Sequence, residues 1–114
     1  MKHDALKMTL LYDYYGELLT EKQRTCFDLY YNQDYSLSEI AEDLGVTRQG
    51  VHDALARAEA LLQEFEAKTG CIAREEQMRA ACERIASAAR QLSGLPEAAH
   101  YARQILAAVD EIKE

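Results

Sequence analysis

Helix breakers are scarce in this sequence: it has one proline and five scattered glycines. Val, Ile and Thr are thin while Ala, Leu, Glu and Arg are abundant, which argues against a sheet and for an all-α chain. The three cysteines, Cys26, Cys71 and Cys82, are odd in number and form no C-x-x-C pair. They read as small buried side chains in a reduced cytosol rather than a metal or redox centre. His3, His52 and His100 are far apart and lack ligand spacing, so neither a metal nor a cofactor is expected. No apolar run approaches the roughly 20 residues that span a bilayer, so no membrane insertion is expected. No charged-then-apolar leader opens the sequence, which predicts a cytoplasmic chain. No Gly-rich phosphate loop, nucleophile elbow or acid–base constellation is present, so the residues argue against an enzyme.

Cations are also in short supply. The net charge is −7, and it is unevenly placed. Residues 20–70 hold five basic and ten acidic side chains, whereas 1–19 and 71–114 are each at −1. The acidity sits on the stretch with the most informative pattern, Ser36 to Leu55. There Ser36 and Glu39 predict a capping box, in which each side chain satisfies a backbone N–H of the helix start. Ile40, Ala41 and Leu44 follow at helical spacing. Gly45 stands where a helix ends in a left-handed residue, and Thr47 can cap a new helix. Val51, Leu55, Ala58, Leu62 and Phe65 recur along that second helix at three- and four-residue steps. This is helix-turn-helix grammar, which presents the second helix to a groove.

The spacing predicts helices over 4–15, 20–31, 37–44, 47–68, 72–92 and 96–112. The first has Leu6, Leu10, Leu11, Tyr14 and Leu18 as its apolar side and ends near Gly16. The second opens with another capping box, Thr20 and Gln23, and carries Cys26, Phe27, Leu29 and Tyr30. Residues 71–114 follow a different design: an αα-hairpin broken at Ser93-Gly94, with Pro96 suited to the first turn of its last helix. Met78, Cys82, Ile85, Ala89 and Leu92 line one arm; Ala98, Tyr101, Ile105, Val109 and Ile112 line the other. The expected organisation is a helix-turn-helix domain over 1–70 and a hairpin over 71–114. An apolar surface that large predicts a homodimer through Met78, Ile85, Ala89 and Leu92, or through Tyr101, Ile105 and Val109.

The segment from Leu19 to Leu62 resembles region 4 of bacterial sigma factors: a Leu-Thr opening, a first helix, an acidic second helix, then a turn and Val-Thr-Arg. More closely, LLYDYYGELLTEKQ (10–23) with TRQGVHDALARAE (47–59) resembles the YlxM family of small bacterial proteins. That resemblance covers roughly residues 5–66. It implies a cytoplasmic all-α homodimer with a sigma-like helix-turn-helix and a C-terminal helical hairpin. It also implies a link to the signal recognition particle pathway, because the family's genes sit beside those for the particle's protein and receptor.

The chain departs from sigma factors in its recognition helix, which reads Arg48, Gln49, Gly50, His52 and Asp53. Only Arg48 is firmly cationic. Gly50 costs about 1 kcal/mol of helix propensity against alanine and offers no reading side chain. Asp53 has the wrong sign for phosphate. For a groove reader the candidate contacts are Thr47, Arg48, Gln49 and His52: Arg suits guanine, Gln suits adenine, and Thr47 opens a helix N-terminus toward a phosphate. DNA and RNA are both admissible ligands. The alternative is a non-enzymatic acidic docking module for a basic partner, such as a component of the signal recognition particle. The seven tyrosines read as core or interface residues with the hydroxyl at the edge rather than as base-stacking platforms. Glu75-Glu76 reads as complementing a helix dipole. Arg74, Arg79, Arg84 and Arg90 do not share one face and read as surface charges paired with Glu83 and its neighbours.

Overall fold

The computed structural model describes residues 4–113, and among them every regular element is helical. The order is α1 (Ala5–Tyr15), a 3-10 turn (Gly16–Leu18), α2 (Glu21–Phe27), a π turn (Asp28–Asn32), α3 (Leu37–Leu44), α4 (Arg48–Thr69), α5 (Cys71–Leu92) and α6 (Ala99–Lys113). The chain divides into two compact units, the first ending at Gly70 and the second starting at Cys71. No described helix is long and apolar enough to cross a membrane.

Local chemistry sets the helix ends. Asp4 caps α1 by accepting from the Lys7 N–H at 3.2 Å. Both arms of both capping boxes form. Thr20 exchanges bonds with Gln23 at 2.9 and 3.2 Å, and Ser36 with Glu39 at 2.9 and 3.1 Å. Gly45 closes α3 at φ 67, a left-handed conformation that costs a residue with a Cβ about 1–2 kcal/mol. Gly70 closes α4 in the same way at φ 65.

In the first unit α4 is the central helix, packing on α1, α2 and α3. Val51, Leu55, Ala58 and Leu62 supply its buried stripe as the spacing predicts, with Phe65 half-buried. Phe27, Cys26, Ile40 and Met8 are fully enclosed around it. Each such large apolar side chain stabilises the fold by about 1.5–3 kcal/mol relative to exposure. Phe27 is the centre of an aromatic stack, with Tyr12 at 4.5 Å on one side and Tyr31 at 4.4 Å on the other. Burial raises the Tyr12 phenol above its ordinary pKa, and nearby Asp28 adds to this. It raises the Cys26 thiol likewise. Tyr15 is buried, and its hydroxyl reaches Glu66 at 2.5 Å and Thr69 at 2.7 Å. Tyr31 donates to Glu59.

Two expectations for this unit need correction. Of the row from Leu6 to Leu18 only Leu11 is buried, together with Met8, Tyr15 and Leu19, which the row left out, while Leu6 is 86% and Leu18 65% exposed. Both rows are apolar at helical spacing, and contact with α4 selects one. The second helix does not run to 31 as a regular α-helix. It widens into a π turn whose Asp28 carbonyl accepts from the Gln33 N–H at 3.0 Å, and the chain leaves through Asp34 at φ 62. Tyr14, by contrast with Tyr15, is exposed.

The second unit is the expected hairpin, α5 against α6. Cys82, Ala86 and Val109 form its core, with Ile105 and Leu106 packed on them. Ala89 and Ala102 are buried as well, and such small side chains let two helices approach closely. The last helix starts later than expected, at Ala99. Pro96 lies before it, in tight turns closed by Leu95 N–H to Leu92 carbonyl and Ala98 N–H to Leu95 carbonyl. Glu75 and Glu76 lie beyond the first turn of a helix that opens at Cys71, and Glu75 pairs with Arg79 at 3.2 Å instead. Glu83 bonds Lys113 across the hairpin rather than an arginine, which holds its carboxyl below the usual range.

Candidate nucleic-acid interface

The turn between α3 and α4 aims the start of α4 outward. Val46 N–H returns to the Ala41 carbonyl at 3.0 Å, and Gly45 supplies the left-handed step. Thr47 then caps α4: its hydroxyl accepts from the Gly50 N–H at 2.9 Å. The first bond within the helix runs from the Val51 N–H to the Thr47 carbonyl. The N–H groups of Arg48 and Gln49 therefore have no partner within the helix, as at any helix start. Their location, together with the positive end of the helix dipole, suits an anion.

Thr47, Arg48, Gln49 and His52 are all exposed and share the opening turns of α4. Among the described residues no carboxylate pairs with Arg48. The other two readers are held by a neighbour. Gln49 Nε2 donates to Asp53 Oδ1 at 2.8 Å, and His52 Nδ1 lies 3.5 Å from the same oxygen. Asp53 is more than a wrong-signed charge: standing four residues after Gln49, it also restrains that side chain. Gly50 has a local role that propensity alone does not reveal. A Cβ there would meet Thr47 Oγ1 at 3.1 Å, so glycine leaves room for the capping hydroxyl.

Acidic residues are exposed on the helix that precedes the site and along α4 itself. Glu39, Glu42 and Asp43 are exposed on α3, with Glu39 engaged in its capping box. Farther along α4, Glu64 hydrogen-bonds Lys68 at 2.9 Å, which lowers its pKa. No group of three potential metal ligands occurs among the described residues, and His3 lies outside them.

The residues expected to form a dimer surface do not stay together. Ala89 and Val109 lie inside the hairpin's own core, and Ile105 is half-buried against it. Met78, Ile85, Leu92 and Tyr101 remain exposed. The hairpin covers the inner part of each stripe itself and leaves the flanks to solvent.

Comparison with known proteins places this geometry in a family. A family profile described as "Putative helix-turn-helix protein, YlxM / p13 like" matches residues 2–98. A UPF0122 protein of Caldanaerobacter subterraneus subsp. tengcongensis is 53% identical over 85 residues, which is 75% of this chain and 73% of that one. One from Geobacillus kaustophilus is 46% identical over 85 residues, covering 75% and 77%. Another, from Exiguobacterium sibiricum, is 39% identical over 107 residues, covering 94% and 93%. The capped turn, the outward helix start and these matches agree: the chain belongs to the UPF0122 family of YlxM/p13-like helix-turn-helix proteins.

Proposed function

We propose that this protein is a non-enzymatic, cytoplasmic nucleic-acid-binding regulator that reads a groove with the first turns of α4. The observation carrying this reading is that Thr47, Arg48, Gln49 and His52 share one exposed, capped helix start. Arg48 makes the charged contact, Gln49 and His52 the polar ones, and Thr47 brings a phosphate to the helix N-terminus. Few cations make one copy a weak binder, so two copies acting together supply the avidity. The homodimer surface is the exposed part of the hairpin: Met78, Ile85, Leu92 and Tyr101. The family's resemblance-based link to the signal recognition particle pathway makes that particle's RNA a ligand to test beside duplex DNA.

A second reading has its own support. Asp53 accepts from Gln49 and lies close to His52, and Glu42 and Asp43 are exposed on α3. This suits an acidic surface that docks a basic protein component of the particle. Binding of the wild type and Arg48→Ala to duplex DNA, to the particle's RNA and to its protein separates the two. Groove reading requires binding to DNA or RNA at low salt that weakens at least tenfold in Arg48→Ala. No nucleic-acid binding by the wild type refutes it. Retained binding of the protein by Arg48→Ala, lost on Asp43→Lys, establishes docking.

A further inference from the structure

A groove reader with one arginine at its helix start cannot neutralise much phosphate from α4 alone. The structure offers a second cation close by. Thr20, Glu21, Lys22 and Thr25 from the start of α2 line one shallow groove with Leu44 and Val46, the residues leading into the capped start of α4. Lys22 is exposed, and among the described residues no carboxylate forms an ion pair with it. Other cations of this unit are differently placed. Lys68 is taken by Glu64 at the far end of α4, and Arg24 is half-buried near Tyr12.

We infer that Lys22 is a backbone-anchoring residue, which holds a phosphate of the nucleic-acid strand in this groove while Arg48, two residues after Val46, contacts the strand from the start of α4. This rests on the groove-reading function above. The division of labour follows from chemistry. The flexible Lys22 ammonium is a point charge suited to phosphate at any sequence, whereas the planar Arg48 guanidinium can also read a base edge. Thr20 and Thr25 contribute small polar side chains to the groove lining, and Leu44 and Val46 contribute apolar ones that suit the sugar. Glu21 is the one carboxylate on the groove, and its charge keeps the site weak.

The test is the affinity of Lys22→Gln, Lys22→Arg and Arg48→Ala for several 20-base-pair duplexes of different sequence and for an RNA hairpin, each over a salt series. Lys22→Gln is expected to weaken all of them by one common factor, about three- to tenfold at low salt, and to reduce the salt slope by about one. Lys22→Arg restores both. Unchanged melting of Lys22→Gln by circular dichroism shows that the fold is intact. If Lys22→Gln binds as the wild type does while Arg48→Ala is weakened, the anchor is refuted and the groove-reading function stands. A Lys22→Gln loss that differs among sequences also refutes it, because an anchor carries no sequence information. If the wild type binds none of the probes at low salt, the function itself fails, and the anchor with it.

Discussion

Replacing Asp53 with alanine should strengthen nucleic-acid binding, an unusual direction for a substitution inside a binding site. Its carboxylate holds Gln49 at 2.8 Å, lies 3.5 Å from His52, and stands on the face that would meet phosphate. At water's dielectric, a carboxylate about 6 Å from a phosphate costs about 0.7 kcal/mol. Releasing Gln49 from an exposed hydrogen bond adds about 0.5 kcal/mol, because that bond no longer has to be broken for the side chain to reach a base. Together these amount to about 1 kcal/mol, or roughly fivefold per recognition helix and about thirtyfold for a dimer that engages two. Stability should hold, since alanine has the higher helix propensity and Asp53 is exposed. The assay is fluorescence anisotropy with labelled duplex DNA and signal recognition particle RNA. At 1 M salt the Coulomb share should largely disappear, because the Debye length is then about 3 Å, half the separation. Unchanged or weakened binding in Asp53→Ala would refute the groove geometry. A basic protein partner should respond with the opposite sign.

Gly45→Ala should destabilise the first unit by about 1–2 kcal/mol in urea unfolding; no atom lies within 4 Å of its added Cβ, so only the positive φ is at stake. A neutral outcome would mean the turn relaxes out of the left-handed region. Leu62→Ala should cost about 2–5 kcal/mol, because the side chain is fully enclosed on the central helix; a loss well under 1 kcal/mol would show that the site collapses freely. Glu83→Gln should flatten the acid limb of hairpin stability. The Lys113 contact lowers the folded pKa of Glu83 below its ordinary value of 4.5, so its contribution is present above that value and is lost as pH falls through the lower folded pKa. Thermal melts of the two proteins from pH 6 down to pH 2 should therefore converge, and parallel curves would show that the pair contributes nothing.

Much of this protein is legible in its sequence because the signals are local. Ser36 with Glu39, Thr20 with Gln23, Gly45 and Thr47 act within one turn of where they stand, and each forms the contact its spacing predicts. The stripe of α4 was equally plain, since Val51, Leu55, Ala58 and Leu62 face a core on one side and polar residues face outward on the other. The candidate readers Thr47, Arg48, Gln49 and His52 follow from the same local grammar, by their place after the turn. Other features depended on what lies across the fold. α1 has two apolar rows, and the sequence contains no reason to bury Met8 and Tyr15 beside Leu11 rather than Leu6, Leu10 and Tyr14; packing on α4 decided it. The hairpin stripe reads as one surface in sequence, yet closing α5 on α6 buried Ala89 and Val109 and left Met78 and Ile85 outside. The Glu83–Lys113 pair and the stacking of Tyr12 on Phe27 join residues far apart in the chain. Helix starts, turns and periodicity are settled by neighbours within a few residues, so sequence determines them; which of two apolar faces is covered depends on another element's surface, and only the tertiary structure supplies that.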